Sequence, residues 1–114
     1  MPGTIHPPTP PSAEQMRAHA GDATRLLKAL ANERRLMILC MLVEGERSVG
    51  DLNAHLELSQ SALSQHLAVL REDGLVSTRR EAQTIYYALA EGPARHIIDT
   101  LHRIYCAGDP SLRG

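Results

Sequence analysis

Apolar residues recur along this chain at two spacings, and the change between them divides it. Met16, Ala20, Ala23, Leu27 and Leu30 fall three or four positions apart and make one helical stripe. Ser12 with Gln15 three residues on is a capping-box pattern that predicts the start of this helix, with Gly21 as its weak point. Asn32 is placed to cap a second helix, Glu33 to Val43, in which Leu36, Leu39, Cys40 and Val43 share a face and which Gly45 ends. Ser48 with Asp51 predicts a short third helix through about Leu56. Ser59 caps a fourth, whose inner face is Leu63, Leu67 and Leu70 and which stops at Gly74. Beyond Gly74 the period falls to two. Residues 75–81 and 84–89 read as paired strands around the tip Glu81-Ala82-Gln83. Pro93 suits the first turn of a last helix, Ala94 to about Cys106, with Ile97, Leu101 and Ile104 in one row and Ile98 and Tyr105 beside it. The predicted fold is α+β and mostly helical: a winged helix-turn-helix of about five helices with a two-stranded β-wing.

The flanks differ from this pattern. Residues 1–11 hold five of the seven prolines and are expected to be a disordered tail, with a proline-motif ligand as the alternative. Residues 12–107 form the expected domain, and residues 108–114 a flexible C-terminal tail. The chain has 114 residues, enough for one modest core. With no Trp or Phe and only three Tyr, that core must be aliphatic, and a base-stacking RNA or single-strand binder is disfavoured. No apolar run reaches the length of a membrane span, and the N-terminus lacks the basic-then-apolar pattern of a signal peptide. Two cysteines without an export signal fit a cytoplasmic, reducing setting, where such a pair is redox-active or buried rather than a permanent staple.

The net charge of −1 and pI of about 6.6 count against DNA binding, since a basic domain is its usual footprint. Phosphate contact needs only a local patch, however, and Arg71, Arg79 and Arg80 can supply one. On the fourth helix, Gln60, Ser61, Ser64, Gln65 and Ala68 lie opposite the leucines. Gln can pair bidentately with adenine, and Ser can bond to bases or phosphates. Taken alone this is an ordinary solvated face. A short helix before it and an arginine-bearing hairpin after it make it a DNA-reading face. Arg79 and Arg80 are adjacent in a strand and point to opposite faces, so only one is expected to face DNA fully. His66 lies roughly 200° around the helix from Ser64, so the two cannot form a catalytic pair, and His66 reads as a packing or phosphate residue.

The runs LLKALANERRLMILCML, SVGDLNAHLELSQSALSQHLAVLREDGLV and TRREAQTIYYAL resemble the ArsR/SmtB family of bacterial repressors over roughly residues 22–106. The resemblance implies a homodimer held by its first and last helices, bound to double-stranded operator DNA that is palindromic and A/T-rich, and released by a chemical signal. The sequence departs from the family's metal sensors. Their Cys-Val-Cys-Asp-Leu pattern falls on Ser48-Val49-Gly50-Asp51-Leu52, without either thiol that soft metals need. The zinc pattern of the last helix is also missing: His96, Asp99 and His102 stand at i, i+3 and i+6, with no Asp-x-His before them. No metal site, cofactor or catalytic residue is assigned.

Cys40 taken alone is a small hydrophobe on an apolar stripe, and Cys106 an incidental thiol at a helix end. Their positions, with ERRLMILCML and REAQTIYY, are similar to a branch of the family comprising BigR/SqrR-type repressors and HlyU-type regulators. That likeness implies that Cys40 and Cys106 are the redox sensor, linked within a subunit by reactive sulfur species or oxidants. The expectation is therefore a homodimeric repressor that releases DNA when this pair is bridged. A peroxide or disulfide-stress regulator, a metal-responsive regulator, a small thiol-redox enzyme and an adaptor without DNA binding are the alternatives. The enzyme lacks the Cys-x-x-Cys of such catalysts.

Overall fold

The computed structural model describes residues 11–106. The expected terminal tails lie outside them, apart from Pro11, which opens helix α1 (Pro11–Leu30). Proline suits a first helical position because its missing N–H has no acceptor there. Ser12 therefore lies inside the first turn rather than ahead of it, and Gly21 does not interrupt the helix.

Helix α2 (Glu33–Met41) begins where Asn32 accepts a hydrogen bond from the Arg35 N–H at 3.0 Å. It ends two residues sooner than expected: Leu42–Glu44 tighten into a 3₁₀ turn, and Gly45 follows with φ +140°. Strand β1 (Arg47–Ser48) leads directly into α3 (Val49–His55). Ser48 caps α3 by accepting from the Asp51 N–H at 3.1 Å, as its spacing predicts. Helix α4 (Gln60–Glu72) follows, then strands β2 (Val76–Glu81) and β3 (Thr84–Leu89), and finally α5 (Pro93–Tyr105).

The hairpin β2–β3 has the expected form, with Val76 opposite Leu89 and Glu81 opposite Thr84. A third strand joins it. Arg47 and Ser48 pair antiparallel with Tyr87 and Tyr86, giving the sheet order β1-β3-β2. The wing is thus anchored along its inner strand to the residues that open the helix-turn-helix.

The core is aliphatic, as the composition requires. Ile38, Leu39, Leu42, Leu52, Leu63, Leu67, Leu70 and Ile98 are fully buried. Each such side chain contributes roughly 1.5–3 kcal/mol over its exposed state. The inner leucines of α4 are those that periodicity identifies. On α1 the expected stripe divides: Leu30 enters this core with Leu26 and Ala29 packed against it, whereas Met16 and Leu27 are 60% and 56% exposed. Among the described residues, no helix is long and apolar enough to cross a membrane.

Candidate nucleic-acid interface and thiol pair

Helix α4 projects from the core on its three leucines. Ser59 holds its first turn by accepting from the Ala62 N–H at 3.1 Å, while the Ser59 carbonyl accepts from Leu63 at 3.0 Å. The first-turn N–H groups of Gln60 and Ser61 have no acceptor within the helix and point along its axis. Gln60, Ser61, Ser64, Gln65 and Ala68 are all exposed on the face away from the leucines. Arg71 is exposed farther along that face, within about 20° of Gln60 by helical rotation. His66 is half-buried.

The wing separates its two arginines. Arg79 donates twice to Glu46, at 2.5 and 3.2 Å, and once to Glu81 at 2.6 Å. Its guanidinium also lies 4.6 Å from the centre of the Tyr86 ring. The Arg79 hydrogen bond is the main reason that the Glu46 carboxyl is held below the usual carboxylate range. Glu46 and Glu81 in turn hold the Arg79 guanidinium more firmly protonated. Arg79 therefore fastens the wing to the segment before β1. Arg80, opposite Ile85 in the hairpin, is exposed and makes no ion pair among the described residues. Its charge is the one left available to a phosphate.

The cysteines come from elements far apart in sequence. Cys40 is half-buried on α2, and Cys106 is exposed where α5 ends, its N–H bonded to the His102 carbonyl at 2.7 Å. Both are free thiols on helices that pack together, and Cys106 is near enough to act electrostatically on Cys40. Burial pushes the Cys40 thiol above its ordinary range, and the neighbouring Cys106 pushes it further in the same direction. Cys40 is thus a protected thiol beside an accessible one.

The last-helix residues weighed for zinc are spread out. His96 is exposed, Asp99 half-buried, and His102 turns toward Glu44 at 4.0 Å. Among the described residues no three His, Cys, Asp or Glu side chains converge as metal ligands.

Two contributors escaped the sequence reading. Glu46, which clamps the wing, lies 33 residues from Arg79 and is joined to it only by the fold. Arg47 donates to the Met41 carbonyl, to Glu44 and to Asp51. Its carboxylates at i−3 and i+4 were the available signal.

The profile of the arsR family of bacterial regulatory proteins matches residues 32–78, from the cap of α2 into β2. The transcriptional activator HlyU of Vibrio cholerae serotype O1 is 58% identical over 97 residues, covering 85% of this chain and 90% of the relative. The crystal structure of the transcriptional repressor BigR from Xylella fastidiosa superposes with a TM-score of 0.78 at 44% identity, covering 85% of this chain and 96% of that one. The homodimeric winged helix-turn-helix DNA-binding domain of a Mycobacterium bovis protein superposes with a TM-score of 0.66 at 30% identity, covering 83% and 88%. A helix-turn-helix with a hairpin wing, and this degree of identity across most of both chains, give one conclusion: the chain is a transcriptional regulator of the arsR family.

Proposed function

We propose that the chain is a homodimeric repressor that releases its operator when reactive sulfur species bridge Cys40 and Cys106. The observation that carries this reading is the pairing of a half-buried and an exposed thiol, unlinked and close enough to influence one another, on helices α2 and α5 that pack together. One domain holds both the thiols and the DNA-reading face, so the thiols have a short route to DNA occupancy. Gln60, Ser61, Ser64 and Gln65 read the major groove, and Arg80 takes a phosphate; Arg79 contributes by fixing the wing. The operator is palindromic and A/T-rich, matched to a two-fold dimer. The two relatives are named for opposite regulatory outcomes, activator and repressor. Repression is the simpler assignment here, since occupying an operator needs no surface beyond the domain itself.

Sulfur insertion is the expected form of the bridge. The thiols are unlinked, a covalent S–S bond needs the sulfurs about 2 Å apart, and each inserted sulfur lengthens the link by a further bond of about that length. A direct disulfide demands the closest approach of α2 and α5, whereas a tri- or tetrasulfide tolerates a wider one. Each cysteine takes one sulfane sulfur from an organic persulfide and frees the donor's thiol. The terminal sulfur of one protein persulfide then attacks the inner sulfur of the other, closing a trisulfide and expelling hydrosulfide.

Intact-mass spectrometry after persulfide, peroxide and disulfide treatment tests this, alongside operator titration. The expected result is added sulfur between the two cysteines with persulfide and poor reaction with simple disulfides. DNA affinity is expected to fall at least tenfold, a coupling of about 1.4 kcal/mol. Cys40→Ser or Cys106→Ser should bind DNA without responding. Unchanged operator binding by the bridged protein removes the sensor and leaves a regulator.

A further inference from the structure

We infer that Arg47 is the positioning residue that couples the thiol pair to the helix-turn-helix. The inference rests on the sensor reading above and adds the path by which bridging reaches DNA. Arg47 is in β1, between the end of α2 and the start of α3, and its side chain is only 25% exposed. All three arms of its guanidinium are engaged. Nε donates to the Met41 carbonyl at 3.1 Å, Nη1 to Asp51 Oδ2 at 2.7 Å, and Nη2 to Glu44 Oε1 at 3.2 Å.

These partners belong to the parts of the molecule that a sensor must connect. Met41 is the residue after Cys40, so Arg47 holds a carbonyl at the C-terminal end of the helix that bears one thiol. Its cation there also faces the negative end of the α2 dipole. Glu44 reaches the other thiol's helix: its second oxygen lies 4.0 Å from Nε2 of His102, and the His102 carbonyl accepts the Cys106 N–H. Asp51 is in the first turn of α3, where its N–H is fixed by Ser48. The backbone of Arg47 pairs with Tyr87 at the base of the wing. One rigid fork thus touches the end of α2, the turn facing the end of α5, the first helix of the helix-turn-helix and the wing.

A guanidinium presents its donors in one plane at fixed angles. It cannot follow a displaced carbonyl and keep two carboxylates in place. When a sulfur bridge shifts the ends of α2 and α5, the Met41 carbonyl and Glu44 move together, and Arg47 passes that shift to Asp51 and β1. A residue that only holds the fold would alter stability while leaving the ratio of reduced to bridged DNA affinity as it was.

The test measures that ratio in full-length wild type, Arg47→Lys, Arg47→Gln, Asp51→Asn and Glu44→Gln. Circular dichroism reads folding, intact mass reads the bridge after persulfide treatment, and fluorescence anisotropy reads operator binding. Wild type is expected to lose at least about tenfold in affinity on bridging. Folded Arg47→Gln and Asp51→Asn should form the bridge as wild type does yet lose less than about threefold. Arg47→Lys keeps the charge without the fork and is expected to behave like Arg47→Gln. Glu44→Gln should fall between. Asp51→Asn and Glu44→Gln each remove a single charge from a partly exposed side chain, so they decide the matter if the Arg47 variants do not fold. Bridged variants that retain the full wild-type ratio overturn the coupling role. Wild type that shows no bridge or no affinity change overturns the sensor reading itself.

Discussion

Arg79 and Arg80 stand side by side in β2, and strand alternation sends them to opposite faces. The divergence is legible in the sequence. Which arginine is left without an ion pair among the described residues is not, because the deciding partner, Glu46, is brought in by tertiary structure. Arg80→Ala should weaken operator and random DNA alike and lower the salt dependence by about one phosphate contact per subunit. An unchanged slope in a salt titration would show that Arg80 touches no phosphate. Arg79→Ala should act on Glu46 instead. The Glu46 carboxyl is held low chiefly by the Arg79 hydrogen bond, so its contribution to wing stability is present above the ordinary glutamate range and lost as pH falls through the lowered value. Carboxyl-carbon NMR should find the Glu46 midpoint rising toward the ordinary value in the variant. The Cys40 shift has the opposite sign: its stabilising effect is lost as pH rises through the raised value. Burial is its largest cause, so in Cys106→Ser the pH midpoint for Cys40 alkylation should drop from wild type yet stay above the ordinary thiol range. A midpoint within or below that range would contradict the burial argument.

At the scale of elements, the sequence is legible wherever a signal is local. Asn32, Ser48 and Ser59 each cap the helix that their spacing predicts, because an N-cap bonds to an N–H only a few residues away. The leucine row of α4 is legible for the same reason. Strand β1 is not: two residues carry no period, and Arg47 and Ser48 are a strand only because Tyr86 and Tyr87 pair with them. Nor does periodicity show that Leu26 rather than Leu27 packs on the core, since both suit an amphipathic helix and the choice depends on the angle at which α1 leaves it. The exposed face of α4 yields its own expected outcome. Gln60→Ala, Ser64→Ala and Gln65→Ala should each cost about 1–3 kcal/mol of operator affinity where a bidentate or groove contact is lost, with random-sequence binding little changed. Ser59→Ala should cost about 1 kcal/mol of folding stability through the lost cap. Paired operator and random-DNA titrations, with denaturant melts, separate the two effects. Alanine variants that are folded and bind the operator normally would show that α4 does not read it.

For the whole molecule, the apolar positions exceed what one protomer can cover. Met16 and Leu27 on α1 are more than half exposed, and Ile97, Leu101 and Ile104 on α5 are only partly covered. This surplus is visible in the sequence as stripes on the first and last helices, but its division between core and surface is not. A two-fold partner is expected along α1 and α5, where it would bury the remainder, and burial at roughly 25 cal/mol per Å² would make such a closure favourable. The same closure would set the distance between two copies of α4, which is expected to match half-sites about one helical turn of DNA apart. Leu27 distinguishes the interface from the core better than Leu101, which also packs against buried residues of its own protomer. Leu27→Glu should therefore give monomers with helical content intact, whereas Leu101→Glu should lower both association and stability. Light scattering at micromolar concentration should find wild-type dimers and Leu27→Glu monomers. The variant should also bind a two-half-site operator little better than a single half-site, because α4 is unaltered while its spacing is lost. A wild-type monomer, or a Leu27→Glu dimer with full operator affinity, would remove α1 from the interface.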